Sequence, residues 1–487
     1  MDWRSFTVAG ERPIHHGVVE GLRTYWVDRG GGFRAVLVFR VGVADEPLPL
    51  RGICHLIEHL AIEPKQRLYT YNGWSSIDAT GFWAEGGRDE VLGYLTGVAG
   101  LLRSLPIDRL EPEKRILTTE SRNQSGSIAS ALLTARCGAR TYGSASFEEF
   151  GLYRLDAEQV TDWASRHFVA ENAVLYMTGP PPDGFVLDLP RGESRGLPAT
   201  RSIARLDLPT CVTIGQGGVG VGLLVPRGPA TGLALASLVS AATKRLRHEL
   251  GLSYHVWSHY QLVGSDEAHL TVAADCLDTN GGQVVSALLE VVDEMATRGP
   301  DADDLAYETE RFTRSMTTPE EAMEWIATGE LIGATVDQLR EQIELMRGVQ
   351  AADVAATVRQ GAAQMIMLVP TDQRPPPRFC AYPDFSERAV QGRMVRPKGL
   401  MPRIAARKAG LVLGDEGLSA VYTEDRVTTI TWNECEALLV WPNGTVALIG
   451  CDGDRIGVPV EVFGSGGSKR VHDEAIRHVP RERLIPM

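Results

Sequence analysis

The sequence predicts an α+β protein: two similar α/β-layered domains, each an antiparallel or mixed sheet with helices, followed by a small β-barrel-like module that ends in a helix. Three observations carry that expectation. Strand-like segments alternate with long stretches of helical periodicity, and the same grouping occurs twice along the chain. Breaks rich in Pro, Gly and charge, at residues 180–202 and at Pro375-Pro376-Pro377, separate the groups. From Leu411 onward the pattern changes to short alternating strands, with turns at Asp415-Glu416-Gly417, Pro442-Asn443-Gly444 and Asp452-Gly453.

In the first group, residues 22–28 and 33–41 read as strands, and Gly30-Gly31-Gly32 between them reads as a hairpin turn. The segment around His55 follows as a helix. A strand is expected at 77–84, helices at 88–104, 111–123, 127–140 and 156–167, and an apolar strand at 173–178. The second group runs from a strand at 219–225 to a helix at 232–249 and strands near 253–262 and 268–275. Helices follow at 281–298, 301–316, 319–333, 335–349 and 351–362, and a strand at 365–369 closes the group. The last helix is expected at 468–478. The resulting division is 1–182 as the first domain, 183–204 as a linker, 205–378 as the second domain, 379–404 as a linker and 405–487 as the module.

A net charge of −13 disfavours nucleic acid or an anionic membrane as the main partner. The chain has no apolar run long enough to span a bilayer, and its first residues lack the apolar stretch of a secretory signal, so a cytoplasmic location is expected. The seven cysteines are scattered and never spaced C-x-x-C, which points to reduced thiols rather than to disulfides or a thiolate metal site.

The segment His55-Leu56-Ile57-Glu58-His59 carries the chemistry. On a helix, side chains four apart share a face, so His55 and His59 can offer two imidazole nitrogens to one zinc ion. Glu58 lies beside them and suits a general base. Two histidines are an incomplete set, because catalytic zinc takes three protein ligands and one open position. In Leu110-Glu111-Pro112-Glu113-Lys114 and the residues after it, Glu113 and Glu120 are seven apart and share a helix face. Glu120 is taken as the third ligand and Glu113 as the carboxylate that steadies a histidine or the ligand.

These residues resemble the pitrilysin/insulinase family of zinc metallopeptidases, with its inverted H-x-x-E-H motif and its downstream E-x(6)-E, whose second Glu binds zinc. The second group adds Arg247-His248-Glu249-Leu250-Gly251-Leu252-Ser253-Tyr254, similar to the family's Arg before a G-L-x-Y element. The resemblance spans residues 15–375 and implies a clamshell of two α+β domains with peptide bound in extended form between them. It also implies that Arg247 and Tyr254 hold the substrate backbone and stabilise the oxyanion, and that the clamshell is completed by a homodimer or a homologous partner subunit. From the residues alone, Arg247 reads equally as a charge near a helix end and Tyr254 as a core aromatic. The implied activity is a zinc metalloendopeptidase of peptides or leader peptides. The alternative is a catalytically silent peptide-binding subunit, against which the completeness of the residue set argues. The family's Asn-Ala-x-Thr substrate strand is replaced here by Ile77-Asp78-Ala79-Thr80. The module, with its Ile430-Thr431-Trp432 segment, resembles a small pleckstrin-homology-like domain and would bind a protein or peptide partner.

His15, His16, His255 and His259 read as structural or surface residues, and Trp74, Trp83 and Trp257 as core or rim aromatics. The glycine runs at 30–32 and 215–218 lack a Walker lysine and read as turns.

Overall fold

A computed structural model describes residues 4–7, 12–63, 70–121, 127–199, 202–203, 206–214, 218–315, 318–371, 373–383, 386–398, 409–423 and 426–487. The expected turn at 215–217 and the start of the C-terminal module at 405–408 lie outside the described residues.

The first half is a seven-stranded sheet in the order β1-β2-β3-β7-β4-β6-β5. Its strands are β1 (Arg4–Phe6), β2 (Ile14–Val19), β3 (Leu22–Trp26), β4 (Phe33–Phe39), β5 (Tyr71–Ser75), β6 (Thr80–Gly86) and β7 (Ala173–Met177). The helices are α1 (Ile53–Ala61), α2 (Arg88–Arg103), α3 (Leu110–Ser121), α4 (Ile128–Cys137) and α5 (Ala157–His167). Leu37, Phe39 and Phe82 on the sheet and Leu56, Ile57, Leu60, Leu95 and Leu117 on the helices form one buried core.

The second half has a six-stranded sheet in the order β10-β11-β9-β12-β8-β13. Its strands are β8 (Thr210–Ile214), β9 (Gly218–Pro226), β10 (Val256–Leu262), β11 (Glu267–Asp275), β12 (Ile366–Pro370) and β13 (Cys380–Ala381). Its helices are α6 (Pro229–Ala242), which runs on as a π-helix over Thr243–Glu249, then α7 (Gly281–Arg298), α8 (Ala302–Ser315), α9 (Pro319–Leu331), α10 (Val336–Arg347) and α11 (Ala351–Ala363). The order 8-12-9-11-10 repeats 3-7-4-6-5, and each step keeps its direction: the first pair is parallel and the next three antiparallel. The repeat suggested by element order is therefore a repeat of topology, and α6 takes the place of α1.

Two readings are corrected. Residues 22–26 and 33–39 are not a hairpin, because β7 inserts between β3 and β4 and pairs with both. The hairpin is β2–β3, turned by Glu20 and Gly21 at positive φ. The strand expected at 77–84 is β6, starting at Thr80, and residues 77–79 form the turn after β5, a strand the sequence reading missed. His15 and His16 lie in β2, where His15 stacks on Trp26 at 3.8 Å and His16 on Tyr25.

Each half lends a helix to the other. From the second half, α9 lays Met323, Ile326 and Leu331 on the outer face of the first sheet, against Tyr25, Val36, Val38 and Val174. Tyr25 also hydrogen-bonds Glu330, and Tyr176 donates to Glu324 at 3.0 Å. From the first half, α4 lays Ile128 and Leu132 on Ala273, Ile366 and Leu368 of the second sheet. Each large apolar side chain buried this way contributes about 2 kcal/mol, so the exchange locks the halves into one block.

The C-terminal module has two four-stranded sheets. One is β14 (Arg393–Val395), β15 (Gly410–Leu413), β16 (Gly417–Thr423) and β17 (Arg426–Thr431). The other holds β18 (Cys435–Val440), β19 (Val446–Gly450), β20 (Arg455–Val458) and the terminal β21 (Leu484–Pro486). The closing helix α12 (Val460–His478) starts earlier than residue 468 and is broken at Gly464, where φ is 70°. Among the described residues no helix is long and apolar enough to cross a membrane, and the cysteines are thiols outside any disulfide, with Cys380 exposed.

Candidate metal centre

The site is built on α1, a helix of nine residues whose two ends are held by buried or half-buried ion pairs. At its start Gly52 adopts φ 97°, a conformation that glycine tolerates, and a Cβ there would lie 2.8 Å from the Glu149 side chain. The unpaired N–H groups of the first turn meet a carboxylate: Gly52 and Cys54 donate to Glu46 at 2.8 and 2.9 Å, and Arg51 neutralises the same group at 3.1 Å. At its end Arg109 donates to the carbonyls of His59 and Ile62 at 3.1 and 2.9 Å. Ile53, Leu56, Ile57 and Leu60 face the core, which turns His55 and His59 toward a cleft.

Each histidine is fixed through Nδ1. His55 Nδ1 is 3.0 Å from Glu149 Oε1, and His59 Nδ1 is 3.1 Å from Glu113 Oε2. Arg109 holds the other oxygen of Glu113 at 2.7 Å. A carboxylate on Nδ1 fixes the tautomer with the proton on that nitrogen, so Nε2 carries the lone pair that a metal ion requires. His55 Nε2 lies 3.9 Å from Glu58, and one donor atom from each of His55, Glu58 and His59 falls within 4.8 Å of the others. The donor chemistry and the two carboxylate-fixed imidazoles fit a metal ion.

Charge is concentrated here. Burial raises the pKa of Glu58, an effect only partly offset by the two histidines. Burial alone would lower His55, but the hydrogen bond and charge of Glu149, with Glu58 and Glu120 beyond it, outweigh that and raise it. Burial likewise acts to raise Glu149, and the hydrogen bond from His55 overcomes it and lowers the group.

The cleft, about 420 Å³, is lined by His55, Glu58, His59, Glu120 and Glu149 on one side and by Asn72, Gly73, Trp74 and Ser75 of β5 on the other. Among the described residues β5 is the last strand of its sheet, with one edge joined to no further strand. Gly73 lies so close to the base candidate that a Cβ on it would be 2.3 Å from Glu58 Oε1.

The structure thus brings His55, His59, Glu58 and Glu120 to one cleft, with Glu120 exposed and outside the compact triplet and Glu113 buried behind His59. Arg247 and Tyr254 are brought to each other, the guanidinium 5.0 Å from the ring centre, on the second half. Neither lines the cleft. Tyr254 is 76% exposed, which removes the reading of a core aromatic. Sequence reasoning missed Glu149, Glu46, Arg51, Arg109 and Gly73. Glu149 sits in an irregular stretch with no periodic signal, and the Asn72-Gly73 pair reads as a turn rather than a strand.

The three-dimensional comparisons find similar solved structures at low sequence identity, among them several peptidases. A protease from Helicobacter pylori superposes with TM-score 0.62 at 14% identity over 76% of this chain and 99% of its own. A peptidase M16 inactive domain from Pseudomonas fluorescens gives 0.61 at 14% identity, covering 77% of this chain and all of its own. Pitrilysin gives 0.55 at 14% identity, over 76% of this chain and 46% of its own.

The chain has the M16 peptidase fold. No known family profile matches the sequence, and no curated protein matches it. The M16-like structures therefore share its architecture at low identity, and they include both a protease and an inactive domain.

Proposed function

We propose that the chain is a zinc-dependent endopeptidase acting on peptides bound in extended form. The reading rests above all on one observation: two histidines one helical turn apart, each with Nδ1 held by a carboxylate, beside a buried glutamate in a cleft that the edge strand β5 also lines.

His55, His59 and Glu120 would hold the zinc. When bound, zinc supplies Lewis acidity, lowering the pKa of water and polarising the scissile carbonyl. The residues of the chain do the rest. Substrate adds to the edge of β5 as a further strand, so its backbone is aligned along Asn72–Ser75 by main-chain hydrogen bonds. Glu58 takes a proton from the attacking water and returns it to the leaving amine, and its burial-raised pKa brings it closer to neutrality than an exposed carboxylate. Glu113 and Glu149 keep the imidazoles in one orientation through the cycle.

Arg247 and Tyr254 would stabilise the oxyanion. Because the halves are locked by α4 and α9 and this pair does not line the cleft of its own chain, the pair is supplied by the second half of another copy or of a homologous subunit. The cleft is closed between chains and not by a hinge within one. The resemblance to an inactive domain keeps a silent peptide-binding subunit as the second reading. Digestion of a peptide library with and without chelator separates the two: chelator-sensitive cleavage supports the peptidase, and binding without cleavage by zinc-loaded protein supports the silent subunit. A pleckstrin-homology-like role for the C-terminal module, as a docking site for a protein or peptide, is part of the same proposal.

A further inference from the structure

The C-terminal module does not hang from the chain; it packs on the stretch of the first half that contacts the metal helix. Phe150, 1% exposed, is sealed by Leu439, Ile449 and Ile485 of the module. The Arg455 guanidinium lies 5.9 Å from its ring centre. Two polar ties flank this plug: Arg140 donates twice to Glu436, at 2.8 and 2.5 Å, and the Ala139 amide donates to Cys451 at 3.0 Å. The residue before Phe150 is Glu149, whose Oε1 meets His55 Nδ1 at 3.0 Å. The residue after it, Gly151, donates to the Arg51 carbonyl at 2.9 Å, next to the start of α1. A Cβ on Gly151 would lie 2.7 Å from that carbonyl oxygen, so the stretch has no room to shift toward the helix.

We infer that Glu149 is a positioning residue for His55 and that the C-terminal module, by clamping Phe150, holds Glu149 in place, which makes the module a working part of the metal centre. The inference rests on the zinc reading above. Sequence order conceals the link, since the module begins more than 240 residues after Glu149 in a chain whose 405–487 segment reads as an appendage. In the fold only one residue separates the module's apolar plug from the carboxylate on the imidazole. A partner seated on the module could act on the metal site through that residue.

The test is the zinc dissociation constant of the full chain by chelator competition, together with hydrogen exchange. Glu149→Gln, which keeps the shape and loses the charge, should weaken zinc about tenfold, the usual cost of losing a carboxylate behind a metal-ligating histidine. Ile485→Asp, placed far from the metal on the terminal strand, should weaken zinc in the same direction and speed exchange at 147–153 while the amides of α7 stay protected. If Ile485→Asp unfolds the chain, Trp441→Ala at the rim of the same contact is the milder probe with the same expected signs. Ile485→Val should match wild type. Wild-type affinity in Glu149→Gln overturns the positioning role. Faster exchange at 147–153 with wild-type affinity overturns the role of the module. A wild-type chain that binds no zinc overturns the proposed function and this inference together, whereas zinc-loaded wild type with variants at parity overturns this inference alone.

Discussion

Gly73→Ala is the substitution whose cost the geometry states most openly. The backbone of Gly73 is not at positive φ, so alanine fits the strand conformation, and the stability cost, about 1–3 kcal/mol, comes from overpacking alone. The new methyl, however, would stand 2.3 Å from Glu58 Oε1, 2.7 Å from its Cγ and 2.8 Å from its Cδ. Restoring ordinary contact moves the carboxylate by about 1 Å, and a displacement of that size in a reacting group costs roughly 100-fold in rate, about 2.7 kcal/mol of barrier. Glu58 cannot swing freely aside, since it is 5% exposed and its helix is packed on the core by Leu56, Ile57 and Leu60. The assay is kcat on a cleavable peptide with zinc content and thermal midpoint measured on the same preparation. A loss near 100-fold in kcat is expected, with zinc retained and the midpoint lowered only by that overpacking. A kcat within threefold of wild type would show that Glu58 is not the base or that its position is uncritical.

Three further outcomes follow from the same coordinates. Glu120→Ala should weaken zinc by more than the about 10–100-fold typical of a residue behind a ligand, measured by chelator competition; a smaller change would make Glu120 a bystander at the rim. Arg247→Ala and Tyr254→Phe should each lower kcat by about 100-fold or more with zinc content unchanged, and kcat should fall on dilution if the pair comes from another subunit. His167 is held neutral, chiefly by burial and then by Arg195 and Arg166, with its pKa lowered to about 4. An unfolded histidine takes up its proton near 6.5, so between there and about 4 the unfolded state binds more protons. Stability is therefore full above that window and falls with acidification through it, by up to about 1.4 kcal/mol per pH unit. His167→Gln should flatten that part of a urea-denaturation profile.

What could be read from the sequence followed local periodicity. The i, i+4 pair His55 and His59, the seven-residue step from Glu113 to Glu120 and the order of elements in the two halves all come from spacing along one helix or from repetition, and the sheets confirm the repeat. The misreadings are non-local. β7 slides between β3 and β4 from more than 130 residues away, and nothing in the glycine turn at 30–32 can announce it. β5 carries an Asn-Gly pair, so it lacks the composition of a strand. Glu149 lies 94 residues from His55 along the chain, and only the fold brings the two together. The exchange of α4 and α9 is equally hidden, since each helix has an apolar face that could as well cover its own half.

The most direct test of the account is the zinc content of the purified chain after loading and desalting, read beside peptide cleavage by wild type and by Glu58→Gln. The account predicts about one zinc per chain in both proteins, with cleavage only in wild type. A wild-type chain that retains no zinc, or a zinc-loaded Glu58→Gln that cleaves as fast as wild type, would contradict it.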